Sequence, residues 1–547
     1  MLPPSVRSRL SAAGNAYVFE HPDLVDRAAA RLRRPLDRAF LRRVTAFADL
    51  ERLGDVVRRE APPATGPHVL LVALRGWPDH NAFEAVVAAA LRMRGARVTL
   101  LTCGGGLPLC EMGWGRRAWP RPCDRCAPHT AGVAERLGLE HERLADLLPW
   151  GGDGRRAPSP TEVSADAVEI SRAWILRTSV PGDAPDGAAV GTDLQAGVDG
   201  VAGVAEELLD RLRPDVLFTV NGLFSAEHAL REAAKARGIR CPTYEISPRA
   251  GALAFSQEAP APEYDTDHAW SVCRDRPLEP EQRAAVTGLL DDRASGRGAH
   301  ESYFTSVEDD HERLRAAVGI PPGARLASLF TNLTWDSAAL GRDVGFAGMM
   351  DFIERAVRGV AAIDGMHLVI RIHPAETRWR TRETVEAALL ERLGGVLPAT
   401  AHVIGPDQPL GSYALLDASD LVLGYTTTIG LEAATAGFPV LVGGDVHYRG
   451  RGFTYDVEGP DDLTRLLADP PGRLNDEQRE LALRYAFTFF YRGFVPLRSV
   501  TVQAGKVSAI DATPERLRPG GDAHLDWVAD RLLDGEDLLL PDELALA

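Results

Sequence analysis

A chain of 547 residues is longer than one hydrophobic core organises, so two large domains are expected. Acidic residues outnumber basic ones by 77 to 61, giving a net charge of −16; this excludes a general nucleic-acid-binding surface and leaves room only for a local basic pocket. The first residues, MLPPSVRSRLSAAGNAYVFE, lack the apolar stretch of a secretory signal, and nowhere do about 18 apolar residues run together. The expectation is a cytoplasmic protein with no integral membrane segment, reaching the inner membrane only through partners.

From about residue 66, HVLLVALRG reads as a strand, NAFEAVVAAALRMRG as a helix closing on a glycine, and ARVTLLTC as a second strand, which together make a βαβ unit. The loop between, RGWPDHNAFE, follows the first strong strand and offers Asp79 and His80 as candidate bases, with Glu84 behind them. Helix capping by Asp79 and an exposed His80 is the plain alternative.

Four of the six cysteines come next. Cys103, Cys110, Cys123 and Cys126 have the spacing C-x6-C-x12-C-x2-C, and in a reducing compartment a cluster of this kind is read as metal-binding or catalytic. Four ligands leave no open position, so a zinc ion here would be structural; an iron–sulfur cluster and reduced thiols remain open. Arg116, Arg117, Arg121 and Arg125 are interleaved with Trp114 and Trp119 in the same stretch, suited to an anionic saccharide or lipid-linked acceptor, or to a solvated basic loop. Cys241 and Cys273 read as ordinary buried residues.

Two loop-like stretches, WGGDGRRAPSPTEV at 150–163 and the Gly/Asp-rich segment near 181–200, mark an insertion. The α/β succession then resumes with DVLFTVNG, SAEHALREAAKARG and IRCPTYEIS, where Glu245 at a strand end is a second candidate base. After GRGAHESYF and GIPPGA, a second α/β series begins with RLASLFTNL. It continues through a helix near 347–361, the strand MHLVIRIHP, a helix near 381–393, DLVLGYTTT, another helix and PVLVGG. VEDDHE reads as a helical charged run on the surface, and no Asp-X-Asp metal motif falls on a strand end, so no catalytic metal is expected.

Ligands of open parallel sheets collect outside the carboxyl ends of the strands. There the sequence places Asn332, Thr334, Trp335 and Asp336 in TNLTWDS, Arg371, His373 and Glu376 in VIRIHPAE, and Thr426, Thr427 and Thr428 before the helix containing Glu432. Arginine pairs with phosphate as a fork, imidazole donates or moves a proton, and the unsatisfied N–H groups of a helix start attract anions. Simple capping by the threonines, and dipole stabilisation by Glu432, are the plain alternatives.

RIHPAE, then DLVLGYTTTIGLEAATAGFPVLVGG, then HYRGRGFTYD resembles the nucleotide-binding half of bacterial capsule-polysaccharide glycosyltransferases of GT-B architecture. Related histidine-proline and Ser/Thr motifs occur in polysialyltransferases, Kdo transferases and CDP-glycerol glycerophosphotransferases. The resemblance covers roughly residues 325–495; the N-terminal half shares only its α/β layout and TVNG. It implies two Rossmann-like doubly wound domains facing a cleft, with a small Cys-rich insertion. Residues 1–315 would form the acceptor-side α/β domain with Cys-rich segment 103–126, 316–480 the nucleotide-donor domain, and 481–547 helices packing back on both.

The resemblance further implies a glycosyltransferase that moves a sugar from a nucleotide-activated donor to the hydroxyl of a saccharide or lipid-linked saccharide in surface-polymer synthesis, with inversion favoured. Arg371, His373 and the threonine triplet would hold the donor phosphates and Glu432 the ribose, with His447 and Arg449 facing the donor from the next loop. A polyol-phosphate transferase using a CDP-activated donor, a nucleotide-sugar hydrolase or epimerase, and a non-catalytic saccharide-binding scaffold are the alternatives.

Overall fold

The computed structural model describes residues 47–112, 123–148, 165–176, 187–295, 308–337, 339–379, 381–503, 506–511 and 513–547. The basic Trp/Arg stretch at 114–121 and the loop at 150–163 lie outside the described residues.

The first sheet is built on β1 (His68–Val72), β2 (Arg97–Thr102), β3 (Glu140–Arg143), β4 (Val216–Val220) and β5 (Thr243–Ile246), all parallel, in the order β5-β4-β1-β2-β3. Every residue of β1 and β4 is buried, which is why both strands read as mostly apolar, with only His68 and Thr219 polar: a parallel strand covered by helices on both faces has no polar side to show. β6 (Ala252–Ser256) adds antiparallel to β5.

One sequence expectation fails here. From Gly187 onward the Gly/Asp-rich segment is a 26-residue helix, Gly187–Leu212, not a loop. Val190, Leu194, Val198, Val201, Ala205 and Leu208 recur at helical spacing and are each at most 2% exposed. Four interior glycines, Gly191, Gly197, Gly200 and Gly203, cost about 1 kcal/mol each relative to alanine. Burying each large apolar side chain contributes about 1.5–3 kcal/mol, so tertiary burial outweighs local propensity.

The second sheet is entirely parallel: β7 (Arg325–Phe330), β8 (Met366–Arg371), β9 (Ala401–Ile404), β10 (Leu421–Gly424), β11 (Val440–Val442) and β12 (Tyr455–Asp456), in the order β12-β11-β10-β7-β8-β9. Leu329, Ile370, Leu423 and Leu441 from four of these strands share one core with Phe352, Ile353 and Val357 of the helix Met349–Ala361.

The chain then returns to the first unit. β13 (Phe494–Pro496) pairs antiparallel with β6 and completes a seven-stranded sheet. β14 (Val500–Gln503) and β15 (Lys506–Ile510) form a hairpin, and the helix Ala523–Asp534 is tied by Asp526 and Asp530 to Arg94, each pair at 2.5 Å. The tail expected as helices is thus partly strand.

Two Rossmann-like α/β units result, as the sequence predicts, but their limits differ from the expected 315/316 and 480/481. The compact units are Met1–Pro262 with Phe494–Leu544, and Glu263–Gly493 with Ala545–Ala547. The helices Asp267–Cys273 and Pro280–Ala294 join the second unit through the helix Asp476–Phe487: Trp270 packs edge-on to Tyr485 at 5.2 Å and Arg283 pairs with Glu480 at 2.6 Å. No described helix is long and apolar enough to cross a membrane.

Candidate functional site

In the second sheet the chain steps outward from β7 through β8 to β9, then returns with β10 on the other side of β7. The topological switch point therefore lies between the carboxyl ends of β7 and β10, where open α/β sheets take their ligands. Asn332, just past β7, and Thr426, just past β10, meet there: the Thr426 N–H donates to Asn332 Oδ1 at 3.3 Å. His373, just past β8, is tied to the same corner, its N–H donating to Thr331 Oγ1 at 3.1 Å. Arg371 ends β8, is 3% exposed, and donates from Nη1 to the Gly405 carbonyl at 2.7 Å.

The chemistry of this corner is that of neutral and cationic donors. Burial, and then the Arg371 charge, push the His373 imidazole down to about 4, so the ring is neutral at neutral pH. The Ala375 N–H donates to His373 Nδ1 at 3.1 Å, which leaves Nε2 as the protonated nitrogen and fixes one tautomer. Pro374, with φ −60°, begins the short turn Ala375–Arg378 that supplies this N–H. Burial lowers the Arg371 guanidinium to about 10; in such surroundings an incoming phosphate interacts more strongly than it would in water.

Thr426 Oγ1 is buried with no hydrogen-bond partner. A buried hydroxyl left unbonded costs about 1–3 kcal/mol, so it is an anomaly that a ligand oxygen would remove. The threonines are not caps: Thr428 makes no side-chain cap bond to the helix Ile429–Thr435. That helix has only seven residues, so its dipole contributes less than the sequence pattern suggests. Thr427 gives its carbonyl to the Tyr448 hydroxyl at 2.7 Å. Tyr448 passes so close to Gly430 that a Cβ there would lie 2.2 Å from its oxygen, which accounts for glycine at that position.

Several residues expected to face the donor are engaged elsewhere. Glu432 Oε1 accepts from Arg293 Nε and Nη2 at 3.1 and 2.8 Å, and Oε2 accepts from the Tyr413 hydroxyl, so both oxygens serve an internal pair rather than standing open to a ribose. Glu376 turns inward and accepts the Val385 N–H at 2.9 Å, which braces the next helix start. Trp335 is 5% exposed and donates from Nε1 to Thr381 Oγ1 at 2.9 Å. Arg449 clamps the carbonyls of Val442 and Val457, both at 3.0 Å, and pairs with Glu458. His447 stacks on Phe489 at 3.9 Å and bonds through Nδ1 to the Tyr485 hydroxyl at 2.9 Å; burial first, then Arg451 and Arg342, lower it to about 3. Arg293, Thr381 and Tyr485 lie 139, 46 and 38 positions from Glu432, Trp335 and His447, so no local pattern announced those pairs, whereas Glu376 and Arg449 are taken up by partners seven to nine positions away. Thr331 was missed for the opposite reason: a lone threonine at a strand end carries no distinctive pattern.

The first sheet has its own switch point, between β1 and β4. There Asn221 donates from Nδ2 to Glu245 Oε2 at 2.9 Å, and Glu245 Oε1 lies 3.9 Å from His80 Nε2. Trp77 stands 5.4 Å from the His80 ring. Glu84, behind them, accepts from Asn81 Nδ2 at 2.8 Å and from the Tyr244 hydroxyl at 2.9 Å, and burial lifts it to about 7. Asp79 is diverted: it accepts the Val507 N–H at 2.7 Å and faces Lys506 at 3.4 Å, anchoring the β14–β15 hairpin.

All six cysteines are free thiols. Cys126 Sγ accepts the Gly76 N–H at 2.9 Å, and Cys103 Sγ accepts the Leu107 N–H at 3.5 Å. Cys110 lies within electrostatic reach of Cys103 and Cys123, and Cys126 within reach of Cys103. Among the described residues, no three His, Cys, Asp or Glu side chains already stand around one point as metal ligands.

No family model matches the chain, and no curated protein does. Solved structures do. The β-Kdo 2,4-transferase KpsC of Thermosulfurimonas dismutans is 15% identical over 56% of this chain and 87% of its own, with a TM-score of 0.36. The UDP-GlcNAc 2-epimerase of Neisseria meningitidis bound to UDP-GlcNAc is 13% identical over 76% and 93%, with a TM-score of 0.24. The spinosyn rhamnosyltransferase SpnG is 14% identical over 78% and 96%, with a TM-score of 0.25. At such values no residue's role transfers from one chain to the other.

Proposed function

We propose that the chain is a glycosyltransferase of GT-B type whose second unit holds a nucleotide-activated sugar at the β7–β10 switch point. The observation that carries this reading is the convergence of Arg371, His373, Asn332 and Thr426 from three adjacent strand ends, with the Thr426 hydroxyl buried and unbonded. The order of the histidine-proline and threonine motifs, which resembles that of capsule-polysaccharide transferases, supports the same reading.

In this reaction an acceptor hydroxyl oxygen bonds to the anomeric carbon, the bond from that carbon to the donor phosphate breaks, and the hydroxyl proton passes to a base. Arg371 and the Nε2–H of His373 stabilise the departing phosphate by charge and hydrogen bonding. His373 does so as a neutral donor, since its burial keeps it uncharged. We assign the base to His80 in the first unit, whose Nε2 lies 3.9 Å from Glu245 Oε1. The acceptor is a saccharide or lipid-linked saccharide of a surface polymer.

Calorimetry of the full chain with CMP, CDP, UDP, GDP and dTDP tests the reading, with His373→Ala beside the wild type. Tight binding of one nucleotide that the variant loses is expected, followed by transfer from the matching sugar nucleotide. Full-rate release of free or epimerised sugar without an acceptor would select a hydrolase or epimerase, and no nucleotide binding at all would remove the transferase reading.

A further inference from the structure

We infer that Cys103, Cys110, Cys123 and Cys126 form a closed four-thiolate site for one structural zinc ion, which pins the loop after β1 against the end of β2. The four residues reach one neighbourhood from separate elements. Cys103 directly follows β2, and Cys110 lies on the loop leaving it. Cys123 and Cys126 stand three apart in the first turn of the helix Cys123–Leu137, a spacing that puts both side chains on one face.

The backbone packing around them is close. A Cβ on Gly76 would fall 2.9 Å from Cys126 Cα and 3.3 Å from its sulfur, and a Cβ on Gly105 would fall 3.8 Å from Cys123 Cβ. The β1 loop and the β2 loop therefore both lie against the same helical turn. Next to Cys110, Glu111 is held by Arg75 Nε at 2.8 Å and by the Ser171 hydroxyl at 2.5 Å, so this part of the loop is anchored on β1's own extension.

Backbone N–H groups already point at two of the sulfurs, from Gly76 to Cys126 and from Leu107 to Cys103. Such outer contacts orient thiolate ligands and spread their charge in metal–thiolate sites. The sulfurs do not surround one point as they stand, and binding the ion would require their χ1 rotamers to change, each change moving a sulfur by roughly 3 Å. Four thiolates fill a tetrahedral ion's coordination and leave no place for substrate, which makes the ion a brace. It would hold the loop that leads through Trp77 into the helix Pro78–Met93, whose first turn carries His80. The inference stands on the first unit alone and does not depend on the transfer reaction.

The test is metal analysis of the full chain purified without chelator after growth with added zinc, followed by titration with a mercurial reagent in the presence of a zinc-binding dye. About one zinc per chain is expected, released in step with modification of four thiols. Hydrogen exchange should then rise across 73–81 and 103–111 while 325–371 in the second unit stays unchanged. Cys123→Ser should lose the metal and Cys241→Ser should retain it. The titration needs only wild-type protein, so a variant that fails to fold leaves the test intact. Metal-free folded protein with all four thiols freely reactive, zinc unchanged in Cys123→Ser, or iron with sulfide in place of zinc would each overturn the inference.

Discussion

Arg293 and Glu432 form a buried pair across the second unit, the guanidinium placing Nε and Nη2 at 3.1 and 2.8 Å from one carboxylate oxygen. Burial opposes the Arg293 charge, but Glu432 and the Tyr413 hydroxyl beside it more than offset that and hold the guanidinium above its ordinary value, and its side chain lies over the Phe490 ring at 5.3 Å. Removing one member leaves the other charge buried and unmatched. Arg293→Met is expected to destabilise the second unit by about 3–5 kcal/mol, and Arg293→Met with Glu432→Gln to recover part of that loss. Thermal denaturation of wild type, single and double variants checks this; a single variant as stable as the wild type would show that the pair contributes nothing.

Thr426→Val separates ligand binding from folding. Its hydroxyl makes no hydrogen bond inside the protein, so losing it should leave the melting temperature unchanged or slightly raised. Nucleotide affinity should fall by about five- to thirty-fold, the effect of removing one hydrogen bond to a charged group, worth roughly 1–2 kcal/mol. Unaltered affinity would move the phosphate away from the β10 end.

Acid should weaken the second unit. His373 and His447 are pushed down by burial to about 4 and about 3, against an ordinary 6.5 in the unfolded chain. Between those values the unfolded chain binds protons that the folded one refuses, so their contribution is complete above 6.5 and is lost as pH falls toward 4. Each ring can cost up to about 1.4 kcal/mol per pH unit in that window, less in proportion to its partial contact with solvent. His447→Phe, which keeps the stack on Phe489, should reduce the slope of melting temperature between pH 7 and pH 5. A slope identical to the wild type's would contradict the assignment.

Asp79 and His80 are neighbours with separate tasks. Asp79→Ala removes the acceptor for the Val507 N–H and should cost about 1–2 kcal/mol through the β14–β15 hairpin. His80→Gln should leave stability nearly unchanged while lowering kcat of sugar transfer by about a hundredfold or more, the scale of a lost general base. Full activity in His80→Gln would shift the base to Glu84, which burial holds near 7.

By itself the sequence determined the α/β class, the strands and the strand ends that matter. HVLLV, RLASLF and MHLVIR are mostly apolar because helices cover both faces of their sheets, and Arg371 ends its strand while His373 and Thr426 come two residues after theirs. Only the tertiary structure decided what each polar side chain does there. A carboxylate at a helix start has the same local chemistry whether it caps, binds ribose or meets an arginine. Glu432 meets an arginine 139 positions away, and Asp79 an amide 428 positions away. The same distance hid the unit boundary, because the helices after residue 263 are claimed by the helix Asp476–Phe487, and the strand that closes the first sheet arrives only at Phe494. Local patterning follows from burial and backbone geometry, which neighbours in sequence share; partner choice follows from packing, which brings together residues that sequence keeps apart.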